Sequence, residues 1–192
     1  MRTAQYKRTT KETDISAALC LDGGEVKIDT GIAFFDHMLT AFAVHGGFGL
    51  VIDCKGDLEV DCHHTVEDTG IVMGKMFEKA LGDKCKIARF GSFFAPMDET
   101  LAFAAVDISG RPYLHFEAVF TQEKIGALDT CLVEEFFRAF ASNSGTTVHI
   151  RVPYGTNSHH IAEAVFKAFA HAMNAATKEI TDGIMSTKGK LN

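Results

Sequence analysis

Proline is scarce in this chain of 192 residues, with three in all, and no stretch rich in proline, glycine and serine interrupts it. That lack excludes a flexible linker between independent domains, so the chain reads as one packed unit. No apolar run approaches the roughly 20 residues that a membrane-spanning helix needs, and residues 1–12 are polar and basic, without the apolar centre of a secretory signal. The five cysteines, Cys20, Cys54, Cys62, Cys85 and Cys131, are odd in number and include no Cys-x-x-Cys pair. This speaks against a disulfide framework and against a zinc ribbon, and the expected setting is reducing and cytoplasmic. A formal net charge of −6 disfavours nucleic acid as the main partner. With 46% hydrophobic and 23% charged residues, the composition suits a globular protein with a well-buried core.

What the chain does have is a repeated motif. Asp61-Cys62-His63-His64-Thr65-Val66-Glu67-Asp68 returns as Asn157-Ser158-His159-His160-Ile161-Ala162-Glu163-Ala164. Each copy opens an amphipathic helix, marked by Val66, Gly70, Met73 and Phe77 in the first and by Ile161, Val165, Ala168 and Phe169 in the second. On such a helix each histidine lies within one turn of the glutamate, whereas adjacent histidines diverge by about 100°. A His-His pair therefore suits two ions better than one, and the working expectation is a dinuclear metal site shared between the copies. The plainer possibility, histidines that only satisfy backbone groups at a helix start, loses force when the motif recurs.

The order of elements repeats as well. Half-buried strands are expected at Ile15, Ala17 and Leu19 and, after the turn Asp22-Gly23-Gly24, at Val26 and Ile28. A helix carrying Ile32, Phe35, Leu39 and Phe42 ends at Gly46-Gly47, and a strand over 50–53 leads to the first His-His helix, which stops near Gly82. Glu99 to Gly110 then resembles Glu12 to Gly23, and Asp129-Thr130 precedes the helix of Val133, Phe136, Phe137 and Phe140 as Asp29-Thr30 precedes the earlier one. The strand of Val148, Ile150 and Val152 leads to the second His-His helix. The expected fold is α+β: a single domain of two duplicated halves, 1–92 and 93–192, with helices packed on mixed sheets.

Ligands should then come in corresponding sets. His63, His64 and Glu67 match His159, His160 and Glu163, and Glu135 stands where His37 stands on the preceding helix. Eight donors over two six-coordinate ions would leave each about two open positions. Imidazoles suit zinc, iron, nickel or copper, and carboxylates suit manganese or magnesium, so ligand type alone does not choose the metal. Arg89, Arg111, Lys167 and Lys188 form a cationic set suited to phosphate in an otherwise acidic chain. His149 faces away from the core side of its strand, as site or as surface, and His115 and His171 read as ordinary surface or packing residues.

Taken together, these motifs resemble the imidazoleglycerol-phosphate dehydratase family over essentially the full length. They comprise Arg8, Thr10 and Thr13, then Phe35-Asp36-His37-Met38-Leu39, Gly56-Asp57, the first His-His motif and Pro96-Met97-Asp98-Glu99. They continue with Asp107-x-Ser109-Gly110-Arg111-Pro112-Tyr113, the second His-His motif through Lys167, and Ser186-Thr187-Lys188-Gly189. The resemblance implies a duplicated fold of the ribosomal protein S5 domain 2-like type, two Mn(II) ions per active site, and a homo-oligomer of 24 subunits with sites at subunit interfaces. It implies metal ligation by His37, His63, His64, Glu67, His159, His160 and Glu163, with Glu135 standing where many relatives carry histidine. It implies phosphate contacts from Arg89, Arg111, Lys167, Ser186 and Lys188, and places Glu12 and His45 near the glycerol chain of the substrate.

The implied reaction is dehydration of imidazole glycerol phosphate to imidazole acetol phosphate in histidine biosynthesis, by way of an imidazolate and a diazafulvene-type intermediate. Glu12 and Glu163 would carry the proton transfers, in an order left open. Two other classes use part of the same residues. A dinuclear metallohydrolase would need the ligands and a base, and a non-enzymatic metal-binding protein would need the ligands without the phosphate set.

Overall fold

The computed structural model describes residues 1–180 together with Gly183, Met185 and Ser186. Strands β1 (Thr3–Thr9), β2 (Thr13–Cys20) and β3 (Val26–Asp29) precede helix α1 (Ala33–Gly46), and strand β4 (Gly49–Gly56) precedes helix α2 (His63–Leu81). The same order follows again. Strands β5 (Phe90–Met97), β6 (Thr100–Asp107) and β7 (Tyr113–Glu117) come first, then a small hairpin of β8 (Lys124–Ile125) and β9 (Leu128–Asp129). Helix α3 (Cys131–Ser144), strand β10 (Thr147–Tyr154) and helix α4 (Ser158–Thr177) complete it.

The two four-stranded sheets have matching orders, β1-β2-β4-β3 and β5-β6-β10-β7. In each, the first three strands of that order run antiparallel and the last pair is parallel. The α+β class read from the sequence is what the structure has. The second set of elements begins with β5 at Phe90.

Alternation explains which face of each sheet is covered. Ile15, Ala17 and Leu19 of β2 and Leu50, Ile52 and Cys54 of β4 are buried, as are Ala102, Ala104 and Val106 of β6 and Val148 and Ile150 of β10. Against these faces lie α2, packed on β1 and β2, and α4, packed on β5 and β6. The other two helices close the core crosswise, α1 against α4 and α3 against α2. One continuous apolar cluster results, in which Phe42, Phe77, Phe140 and Phe169 from all four helices meet edge to face or stacked.

Glycine sets how closely α2 and α3 approach. A Cβ on Gly70 would lie 2.7 Å from the carbonyl oxygen of Phe136, and one on Gly74 equally close to that of Phe140. Only a residue without a side chain lets these backbones touch.

The helix ends follow local chemistry. Gly47 closes α1 in the left-handed conformation at φ 66° and donates back to the helix's last turn. Asp36 reaches back from the first turn of α1, accepting from the Thr30 amide at 2.8 Å and the Thr30 hydroxyl at 2.6 Å. All five cysteines are free thiols, and burial pushes Cys54 up to about 11, so it stays protonated and inert. Among the described residues, no helix is long and apolar enough to cross a membrane.

Candidate functional site

Both His-His motifs sit at the first turn of their helices, and the local cause is the same. Asp61 Oδ1 accepts from the His63 amide at 2.7 Å, and Asn157 Oδ1 accepts from the His159 amide at 2.9 Å. Each short side chain satisfies an amide that the helix itself leaves unpaired. The two pairs of rings are then held alike, with centroids 6.1 Å apart in both and interplanar angles of 84° and 83°. The divergence expected of adjacent helical positions is realised twice.

The pairing of helices decides which donors converge. Because α1 packs on α4, His37 of the first half reaches the second motif. Its Nε2 lies 3.6 Å from Glu163 Oε2, and His159 Nε2 lies 3.2 Å from the same oxygen. His37, His159 and Glu163 each offer one atom, all within 4.8 Å of one another, and among the described residues they are the one such group of three or more donors. Two imidazole nitrogens and a carboxylate fit a divalent transition ion.

Glu163 is 8% exposed. Burial opposes its ionisation, yet Lys167, with Nζ 2.6 Å from Oε1, and His37 together hold its pKa below the usual carboxylate value. The charged, metal-binding form is the stable one.

The first motif is less gathered. His63 Nε2 lies 3.6 Å from Glu67, its own i+4 neighbour. Glu135 is the fifth residue of α3, as His37 is the fifth of α1, and α3 lies on α2 as α1 lies on α4. Its carboxylate is turned to Arg138 at 3.3 Å, and Arg138 also takes Glu134 at 2.5 Å. His149 lies on the exposed face of β10, its ring between those of Tyr113 and His115. Neither Glu135 nor His149 joins the three-donor group.

His64 and His160 face carboxylates that sequence reasoning left without a role. His64 Nδ1 meets Asp57 at 3.0 Å and His160 Nδ1 meets Glu99 at 2.7 Å, and these bonds raise both imidazoles above their ordinary pKa. The same bond to His160, with the amides of Asn157 and Thr156, holds Glu99 far below the usual carboxylate range. The other ring nitrogen of His64 lies 3.7 Å from Glu12 Oε1. One signal could have found Glu99: it repeats the place of Glu12, directly before the second strand of its sheet.

The expected phosphate set divides. Arg89, at φ 70°, pairs with Asp107 through Nε at 2.7 Å and Nη2 at 3.1 Å. Arg111, 70% exposed, reaches the same carboxylate at 4.0 Å. Two guanidinium groups on one carboxylate leave a net positive site. The Nη1 of Arg89 donates to the carbonyl of Met185, which brings Ser186 into the neighbourhood. Lys188 lies outside the described residues.

Lys167 is engaged with Glu163 and Met97 instead. His45, in the last turn of α1, has its ring 5.5 Å from that of His171; burial and then the charge of Lys167 lower its pKa. His171 also stacks on Phe93.

The model of a family described as "Imidazoleglycerol-phosphate dehydratase" matches residues 30–173. Proteins of that name from Acetivibrio thermocellus and Caldanaerobacter subterraneus are 54% and 56% identical to the chain, over 99% and 100% of its length and equal shares of theirs. Among solved structures, that of imidazoleglycerol-phosphate dehydratase from Staphylococcus aureus is similar with a TM-score of 0.85 and 44% identity, covering 92% of this chain and 99% of that one. A Pyrococcus furiosus structure, solved in complex with (S)-C348, is similar with a TM-score of 0.86 and 39% identity, covering 97% and 100%.

Proposed function

The chain belongs to the imidazoleglycerol-phosphate dehydratase family of hydro-lyases, and from that premise we propose that it dehydrates imidazole glycerol phosphate to imidazole acetol phosphate with divalent manganese at the His-His motifs. The observation that carries this reading is the convergence of His37, His159 and Glu163, one residue from the first half and two from the second, on one point.

His37, His159 and Glu163 would hold one ion. His63, His64, Glu67 and His160 belong to the same proposed ligand set, with Glu135 released from Arg138 as the counterpart of His37. Bound manganese would supply Lewis-acid stabilisation of charge on the imidazole ring of the substrate.

The residues of the chain supply the rest. A carbon-bound proton and a hydroxyl leave the glycerol chain as water, and the enol so formed tautomerises to the ketone. Two groups must therefore move protons. Glu163 is ionised, buried and fixed by Lys167, and Glu12 stands 52% exposed beside His64, able to meet a ligand from solvent. His45 would face the glycerol chain. Arg89 and Arg111 would take the phosphate with Ser186 and Lys188, and Lys167 would act through Glu163. Anchoring the phosphate away from the reacting carbons would hold the ring in register.

This reading is tested by assaying synthetic imidazole glycerol phosphate while measuring metal on the same sample. Turnover to the ketone with manganese bound supports it, and absence of turnover in fully manganese-loaded protein overturns it. A substitution separates the phosphate assignment. Arg111→Ala should weaken binding of the phosphorylated substrate roughly tenfold to a hundredfold, the range for a charged hydrogen bond, and should hardly change binding of the unphosphorylated alcohol. Equal losses for both ligands would remove Arg111 from the phosphate site.

The same reading includes a cytoplasmic homo-oligomer of 24 subunits with sites at subunit interfaces. The first motif, which among the described residues gathers no third donor of its own, is consistent with completion by a neighbour. Metal removal should then lower thermal stability and yield smaller species. Light scattering checks this, and an unchanged mass for verified metal-free protein would contradict metal-linked assembly.

A further inference from the structure

Glu12 and Glu99 hold equivalent places, each immediately before the second strand of its sheet, but they do different things. Glu99 is fully engaged. Its Oε1 accepts from the amides of Thr156 at 3.1 Å and Asn157 at 2.8 Å and from the Thr100 hydroxyl at 3.0 Å, and its Oε2 faces His160 Nδ1 at 2.7 Å. Glu12 makes no such contact with the Nδ1 of His64. It lies 3.7 Å from the opposite nitrogen, Nε2, because Asp57 already occupies the Nδ1 side at 3.0 and 3.1 Å.

The cause lies one residue past the fourth strand of each half. Asp57 follows β4 directly, and the residue that follows β10 directly is Gly155. A Cβ there would stand 2.6 Å from the Thr100 hydroxyl and 3.0 Å from Ile161, so no carboxylate can orient His160 from that place. Glu99 reaches across from the β5–β6 turn and does so instead.

We propose that Asp57 and Glu99 are positioning residues that fix the Nδ1–H tautomers of His64 and His160. Each bond turns the Nε2 lone pair of its histidine outward as a donor. A histidine that binds a metal through one ring nitrogen commonly gives its other N–H to a carboxylate, which sets both tautomer and aim. The two halves reach this end by different residues. Asp57 relieves Glu12 of the orienting role and leaves its carboxylate for the reaction, whereas Glu99, its duplicate, is consumed by that role. The proposal rests on the metal-site reading above.

The test reads the tautomer itself, in full-length metal-free protein with ¹⁵N-labelled histidine. Solid-state spectra at about pH 9, above the ordinary imidazole range, distinguish protonated from bare ring nitrogens. Signals are assigned by difference against His64→Ala and His160→Ala.

In the wild type both residues should carry the proton on Nδ1. Glu99→Ala should move His160 toward the Nε2–H form and leave His64 unchanged, and Glu99→Gln, whose amide oxygen can still accept, should restore part of the wild-type signal. Asp57→Ala should act on His64 alone, and Glu12→Gln on neither. Manganese affinity by calorimetry should fall about tenfold to a hundredfold in the two alanine variants.

A wild-type spectrum with the proton on Nε2 of either histidine, or alanine variants with unchanged spectra, would overturn the proposal. The wild-type measurement stands even where a variant does not fold. Since no turnover is involved, a failure here is separate from a failure to dehydrate imidazole glycerol phosphate.

Discussion

Replacing Glu163 with glutamine is expected to lower turnover by about 10²-fold or more, the lower range for loss of a general base, while metal content falls much less. Glutamine keeps the shape and one oxygen donor toward His37 and His159, which stand 3.6 and 3.2 Å from Oε2. What it loses is basicity and charge. In the wild type, Lys167 at 2.6 Å from Oε1 keeps the buried carboxylate ionised; without that charge the ammonium, 20% exposed, has lost its partner.

A Glu163→Gln, Lys167→Met double variant separates the two effects. It should recover stability lost through the stranded ammonium and should not recover turnover. The measurements are single-turnover kinetics, metal content and thermal midpoint on the same preparations. Near-normal turnover with metal bound would move the proton transfer to Glu12, whose position beside His64 already suits it.

The reason Glu163 can be singled out lies partly in the sequence and partly beyond it. The repeated His-His-x-x-Glu motif and its helical period were legible, because ligands and core residues share one helix and a period of 3.6. The stops at Gly47 and Gly82 were legible through glycine at a helix end. Strand β5 was not. Phe90, Phe93 and Phe94 are all exposed and Pro96 lies within the strand, so no alternation marks a buried face. In β7 the only apolar inward side chains are the half-buried Leu114 and Phe116.

At the site, the sequence showed eight donors, but not that His37 would meet the second motif. That choice is made by α1 lying on α4, a tertiary fact set by ring packing such as Phe42 on Phe169. Nor did the motif around Glu135 show that Arg138, one turn further along, competes for its carboxylate.

The second large effect is expected at Asp68, the last residue of the first motif, which joins none of the three-donor group and instead binds Thr13 and Arg8. It is 5% exposed, accepts from the Thr13 hydroxyl at 2.5 Å and pairs with Arg8 at 3.0 Å. These bonds tie the β1–β2 hairpin to α2. At the tip of that hairpin, Thr10 Oγ1 accepts from the amides of Glu12 and Thr13, both at 3.0 Å, and the carbonyl of Glu12 accepts from Asp57. Glu12 is thus placed beside His64 by a chain of bonds that begins at Asp68.

Asp68→Ala leaves Arg8 without its partner, and the Nε of Arg8 already lacks one. Breaking a buried pair costs about 3–5 kcal/mol, and the partial exposure of Arg8, 35%, reduces this to about 2–3 kcal/mol. The thermal midpoint should fall by about 5–10 °C. Turnover should fall with it at temperatures where the variant is folded, whereas metal at His37, His159 and Glu163 should persist, since none of those residues touches the hairpin tip. Asp68→Asn keeps an acceptor for Thr13 and should fall between. If Asp68→Ala lost stability but kept full turnover in the folded state, the hairpin clamp would be structural only, and Glu12 would hold its place by the bonds at the tip alone.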